Sequence, residues 1–279
     1  MRLGGKLRSR SSPLLAALGL LWCVTGAWAQ PTGTASAQTK GIDAALLAKA
    51  QAGDAAAQWK LGGVYRYGAG VPQNYTLAAM WYRKAAEQGV GEAQYSLGEL
   101  YVSGQGVSQD DAEAAVWFRK AAEQGLVDAQ FVLSNMYNTG DGVPQDYTQA
   151  VVWLRKAAEQ GLAVAQAQLG GLYGTGQGVP QNYAQAAVWL RKAADQGLAD
   201  AQFTLGAMYR GGQGIPQDYA EAYFWLDLAA AGKLDRLKQE DAAKVRDEAA
   251  SHLTPADLTQ VQGRARKWFE EHAPKANPQ

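Results

Sequence analysis

The sequence predicts an all-α fold, a right-handed α/α superhelical solenoid of helix-turn-helix repeats closed by a C-terminal helical cap, and three observations lead there. Tryptophan recurs at Trp81, Trp117, Trp153, Trp189 and Trp225, a constant step of 36 residues. Each step holds two stretches whose apolar residues share one helical face, and a glycine- and proline-bearing turn separates them. A unit of that size cannot bury its own apolar face, so neighbouring units must stack.

Residues 1–29 read as a secretory signal peptide. Arg2, Lys6, Arg8 and Arg10 form a basic start and Leu14 to Val24 an apolar stretch, while Ala27-Trp28-Ala29 supplies the small residues of a cleavage site, predicting a mature start at Gln30. The apolar run is shorter than the roughly 20 residues of a membrane span, so no stable span remains after cleavage; retention as an anchor is the alternative. Cys23, the single cysteine, lies in this stretch behind Trp22, where an acylation box wants a small residue, and the mature chain carries no thiol. Removing the four basic residues of the signal from 26 leaves 22 against 26 acids, with Lys and Arg spread one pair per repeat. That distribution argues against nucleic acid, which wants clustered positive charge. Residues 30–41 are small and polar, a flexible spacer. Residues 42–53 form a degenerate N-terminal cap helix that turns Leu46 and Leu47 inward.

Five repeats occupy residues 54–232. The first helix of each carries Ala57/Leu61/Val64/Tyr65, Ala93/Leu97/Leu100/Tyr101, Ala129/Leu133/Met136/Tyr137, Ala165/Leu169/Leu172/Tyr173 or Ala201/Leu205/Met208/Tyr209, spaced i, i+4, i+7, i+8 on one face. A small residue follows each Leu (Gly62, Gly98, Ser134, Gly170, Gly206) and admits a close neighbour. The turn begins at Gly68, Gly104, Gly140, Gly176 or Gly212, a left-handed helix end; Pro72, Pro144, Pro180 and Pro216 forbid continuation. Asn74, Asp110, Asp146, Asn182 or Asp218 then stands as N-cap, and Glu113 and Glu221 sit where a capping box places its acid. In the second helix Ala78, Trp81, Tyr82 and Ala85 share the buried face. Arg83/Lys84/Glu87, Arg119/Lys120/Glu123, Arg155/Lys156/Glu159 and Arg191/Lys192/Asp195 are expected on a solvated outer side, with weak pairs between base and acid.

These residues carry a resemblance. The run Ala-Gln-x-x-Leu-Gly-x-x-Tyr, then Gly-x-Gly-Val-Pro-Gln-[Asn/Asp]-Tyr, then Ala-x-x-Trp-x-Arg-Lys-Ala-Ala-[Glu/Asp]-Gln-Gly resembles the Sel1-like repeat of the tetratricopeptide-like helical solenoids. Ser108, Asp111 and Ser134 depart from it, and the fifth unit ends one residue short at Gly232. Residues 233–272 are expected to be a C-terminal cap of two helices. The first is charged, from Asp235 to Ser251; the second opens at the Thr254-Pro255-Ala256-Asp257 capping box and runs to about Glu271. Residues 273–279 are a disordered tail.

No catalytic motif is present. His252 and His272 lack zinc-spaced partners, and the Gly-x-Gly pairs are turns, not nucleotide loops, so the chain is read as no enzyme and as needing no cofactor or metal. Some cysteine-rich relatives of the family are associated with penicillin binding or hydrolysis. They are built on a disulfide per repeat, and that activity is not carried over.

A binding surface is sought instead by comparing the units with one another. The first-helix positions that vary are Lys60/Ser96/Val132/Gln168/Thr204, Gly63/Glu99/Asn135/Gly171/Ala207 and Arg66/Val102/Asn138/Gly174/Arg210. The candidate groove residues are Lys60, Arg66, Ser96, Glu99, Asn135, Asn138, Gln168, Thr204 and Arg210. A second row, Trp59, Tyr95, Phe131 and Phe203, is either a ladder of rings for a peptide or glycan or packing between repeats. Ala167 interrupts it and predicts a recess beside Gln168, Gly171 and Gly174. The resemblance implies a periplasmic or secreted scaffold that binds a protein partner in its groove, such as an envelope complex, a sensor domain or a host protein. A cell-wall glycan or muropeptide is the alternative ligand.

Overall fold

The computed structural model describes residues 41–272, and the expectations for the signal, nearly all of the spacer and the tail lie outside them. Thirteen α-helices and no strand occur among the described residues. Helix α1 is Ala44–Gln51. The unit pairs follow as α2 Ala55–Tyr67 with α3 Tyr75–Glu87, α4 Gly91–Ser103 with α5 Asp111–Glu123, α6 Val127–Thr139 with α7 Tyr147–Glu159, α8 Ala163–Thr175 with α9 Tyr183–Asp195, and α10 Ala199–Gly211 with α11 Tyr219–Ala231. Helices α12 Arg236–Ala250 and α13 Pro255–His272 close the chain. Through α11 each helix packs on its predecessor and its successor; α12 and α13 then both lie chiefly on α11. None of the described helices is long and apolar enough to cross a membrane.

The periodic apolar face is the core. Leu61, Leu97, Leu133, Leu169 and Leu205 are 0% exposed, and the five tryptophans of the second helices are buried beside them. Each such Leu contributes about 1.5–3 kcal/mol, and because the term repeats in every unit it holds the stack. The residue after each Leu must be small: a Cβ on Gly62, Gly98, Gly170 or Gly206 would stand 2.5–2.8 Å from the Tyr82, Phe118, Leu190 or Leu226 side chain. Ile42 and, in helix α1, Leu46 and Leu47 pack against the core of the first unit.

The turns form as the glycine, proline and Asx pattern requires. The first glycine of each adopts φ between 66° and 88°, and the Asn or Asp N-cap accepts from the backbone N–H two or three residues on. The capping boxes at Asp110 and Asp218 form only by half: the Glu113 and Glu221 N–H groups donate to the N-cap carboxylates, but the acids do not accept from the N-cap N–H. The N–H groups of Asn74, Asp110, Asp146, Asn182 and Asp218 already donate, over 2.8–3.1 Å, to the carbonyls of Tyr65, Tyr101, Tyr137, Tyr173 and Tyr209. With that donor engaged, Glu113 and Glu221 reach along the helix and accept from the Trp117 and Trp225 indole N–H groups, at 2.9 and 3.2 Å.

The outer basic face is exposed or half-buried as expected, but its cations lie on aromatic rings and do not pair with the acids of their own helix. The guanidinium groups of Arg83, Arg119, Arg155 and Arg191 donate to the Tyr101, Tyr137, Tyr173 and Tyr209 hydroxyls of the next unit and lie 5.4–5.9 Å from those ring centroids. Lys84, Lys120, Lys156 and Lys192 fold over the tryptophan of their own helix at 3.9–4.5 Å. The expected base–acid pairs within the second helices are not among the ion pairs formed, because the rings hold the cations first.

A buried amide spine joins the units. Gln58, Gln94, Gln130, Gln166 and Gln202 are each at most 5% exposed. Their Nε2 groups donate 3.0–3.1 Å to the carbonyls of Ala50, Ala86, Ala122, Ala158 and Ala194 in the last turn of the preceding helix, which also accept from the turn glycine N–H three residues on. The Oε1 atoms of the first four accept from Gln88, Gln124, Gln160 and Gln196 at 2.7–2.8 Å.

Candidate functional site

The varying first-helix positions meet at the junctions between units, and each junction is finished differently. Between units one and two, Arg66 and Glu99 pair with each other at 2.7 Å. Burial works against the Arg66 charge, but the bond to Glu99 and its negative charge leave the guanidinium more basic than usual. Tyr95, in the same cluster, is pushed up to about 12, first by burial and then by the negative charges of Glu99 and Asp128. Burial also raises Tyr82, against the opposing pull of Arg66. At the other end Arg210 donates 2.7 Å to Glu248 of α12. Arg66, Glu99 and Arg210 are therefore ties between elements, already partnered.

Between units three and four the same place is open. A cavity of about 330 Å³ is lined from unit three by Ser134, Asn135, Asn138, Ala150 and Leu154, and from unit four by Gln168, Gly171, Leu172, Thr175 and Gln177. The position of Arg66 is held here by Asn138, and that of Glu99 by Gly171. Asn135, Asn138, Gln168 and Gly171 come together from the expected set; Ala167 and Gly174 do not line the cavity. Ala167 instead packs against the core cluster of units four and five. Lys60, Gln168 and Thr204 are exposed, Ser96 half-buried, and Thr204 turns its hydroxyl back to the Asp200 carbonyl at 2.8 Å.

Ser134, Thr175 and Gln177 are the other polar lining residues and lie outside the variable first-helix sets. Ser134 breaks the row of helix glycines, which is the signal for it. Gln177 lies in the turn, at a position that also varies between units: Ala69, Gln105, Asp141, Gln177 and Gln213.

The aromatic row is half-buried in the joints. Trp59, Tyr95, Phe131 and Phe203 each pack against a core cluster, and the Tyr95 ring lies 5.5 Å from that of Phe118. The packing alternative for these residues accounts for their contacts. The histidines stack on rings, His252 on Tyr219 and His272 on Trp268, both at 4.0 Å. A larger cleft of about 530 Å³, open along one side, lies between α11 and α13, lined by Asp227, Gln262, Arg266, Phe269 and Glu270.

The family model described as Sel1 repeat matches residues 55–90, 91–126, 127–162, 163–198, 199–233 and 250–271. The first five stretches are the five helix pairs, and the sixth covers α13 and the turn before it. The crystal structure of a Sel1 repeat protein from Oxalobacter formigenes is 31% identical, covers 82% of this chain and 91% of its own, and superposes with a TM-score of 0.69. That of a protective antigen present in uropathogenic Escherichia coli strains, displaying an SLR fold, is 32% identical with a TM-score of 0.53. It covers 83% of this chain, which spans 56% of the antigen's length. No curated protein matches the chain.

Proposed function

Because this chain belongs to the Sel1 repeat family, we propose that it is an exported interaction scaffold, non-catalytic, which holds a protein partner along the first-helix face of its units. The observation that carries this reading is the variation among units at Lys60, Asn135, Asn138, Gln168 and Thr204. All lie off the Leu and Trp core, three of them around an open cavity, while the stacking positions repeat in every unit. Surface that packing does not dictate is free to be shaped by a ligand. The engagement of Trp59, Tyr95, Phe131 and Phe203 with the core supports a protein over a glycan ligand. Export rests on the N-terminal pattern and the mature start at Gln30.

The test is affinity capture from envelope extract with the protein from Gln30 onward, followed by direct titration of each purified hit. Replacing Lys60, Asn135, Asn138 and Gln168 together by alanine should weaken a true partner at least about tenfold, the loss of a few central contacts. Arg66, Glu99 and Arg210 are left intact, because their loss would disturb the joints. Retention of muropeptides alone, with no protein hit that titrates, would sink the scaffold reading.

A further inference from the structure

Resting on that reading of the first-helix face, we infer that the cavity between units three and four is a peptide site that grips the main chain of an extended, uncharged segment and seats an aliphatic side chain. Three features of the cavity carry this.

The lining has no ionisable side chain. Asn135, Asn138 and Gln168 each offer a carboxamide, which donates and accepts at once and so matches the alternating C=O and N–H of an extended backbone. A charged side chain entering here would leave water without a counter-charge. Beneath the amides, Leu154 and Leu172 give an aliphatic floor. No aromatic ring lines the cavity to stack on the apolar face of a sugar, and its volume of about 330 Å³ suits a few residues of chain.

Gly171 is the second feature. Glycine weakens a helix interior relative to alanine, and packing excuses Gly170, whose Cβ would stand 2.8 Å from Leu190. Packing does not excuse Gly171: a Cβ there meets nothing within 4 Å, and the space it would occupy opens into the cavity. A glycine with free space above it in a helix lets another backbone come close.

The third is the comparison inside the chain. At the first junction Arg66 and Glu99 fill the corresponding place with an ion pair of 2.7 Å. Asn138 and Gly171 leave it empty at the third. The fold therefore tolerates a closed junction, and closing this one is a clean test.

The experiment screens the full-length protein against arrayed N-acetylated, C-amidated nonapeptides, half uncharged and half carrying a central Asp, Glu, Lys or Arg. The best binder is then titrated against Gly171→Ala and against the double variant Asn138→Arg/Gly171→Glu, which copies the first junction. Expected are uncharged binders, a several-fold loss with Gly171→Ala despite a raised thermal midpoint, and at least a tenfold loss with the double variant at unchanged helicity. Enrichment of charged peptides, undiminished binding by Gly171→Ala and the double variant, or displacement of the peptide by N-acetylglucosamine oligomers would overturn the inference. A peptide insensitive to both variants but lost with Lys60→Ala would overturn this pocket and leave the scaffold reading standing; a chain that binds no peptide at all would overturn the inference and leave the scaffold reading to the capture experiment.

Discussion

Among the tryptophans, the indole of Trp153 stands apart, for its N–H is buried with no acceptor. Trp117 and Trp225 have Glu113 and Glu221 one turn earlier; Trp153 has Gln149, which is exposed and makes no such bond. An orphaned buried donor costs about 1–3 kcal/mol. Gln149→Glu copies the arrangement of units two and five and places an acid in the first turn of α7, where the helix dipole favours it. Chemical denaturation should show a gain of about 1 kcal/mol. The larger part of the gain should vanish in a Trp153→Phe background; a gain that survives intact there would mean the dipole alone acts. The acids at Glu113 and Glu221 were legible as first-turn acids. Their true partner was not, since a capping box assumes a free N-cap N–H and the Tyr101 and Tyr209 carbonyls occupy it from the other side of the turn.

Elements tell the chain which unit is internal and which is terminal. Among the first helices of the units, α4, α6, α8 and α10 have Val90, Leu126, Leu162 and Leu198 as N-caps, with no side-chain cap, and these residues pack into the joint instead; α2, in the first unit, is capped by an acid, Asp54. At the other end the arginine–tyrosine staple is inverted. Where units one to four have arginine, unit five has Asp227, and Arg246 of α12 answers it at 3.0 Å. Both are about a quarter exposed, so loss of one partner is expected to cost about 1–2 kcal/mol, between surface and buried pairs. Asp227→Arg should lower stability by that amount, and Asp227→Arg/Arg246→Tyr, which rebuilds the internal staple, should recover most of it. Equal losses in single and double variants, measured by urea titration, would remove Asp227 and Arg246 from any part in joining the cap. The sequence announces a change at Asp227 by breaking the Arg-Lys pattern, but only the pairing shows that the change is a reversal and not a decay.

Among the described units, order passes from one to the next chiefly through contacts between neighbours. The glutamine spine is the directional part of that coupling. Gln130→Leu, at the centre, removes two hydrogen bonds, the one to the Ala122 carbonyl across the joint and the one from Gln160. The expected loss is about 1–3 kcal/mol, the net worth of two such bonds. Because stability in such arrays is a sum of unit and interface terms, the single unfolding transition should split or broaden into two. Calorimetry showing one sharp transition at a lowered midpoint would mean that apolar stacking, not the spine, carries cooperativity. The glutamine's presence in all five units was visible; its burial and its two partners were not, since a polar residue next to an alanine reads equally well as solvated.

By itself the sequence determined everything that follows from periodicity and backbone restriction: the helix pairs, the left-handed glycine ends, the Asx caps, the Ala, Leu and Trp core, and the changed character of the final unit. These depend on spacing along one chain, and a 36-residue period repeats that information five times. Only the tertiary structure decided which groups meet across a junction. Arg66 with Glu99, Arg210 with Glu248 and Arg246 with Asp227 are separated by 33, 38 and 19 residues. The open place at Asn138 and Gly171 is defined by what neighbouring units leave unfilled. Such contacts are set by how helices stack, and no spacing within a single unit encodes them.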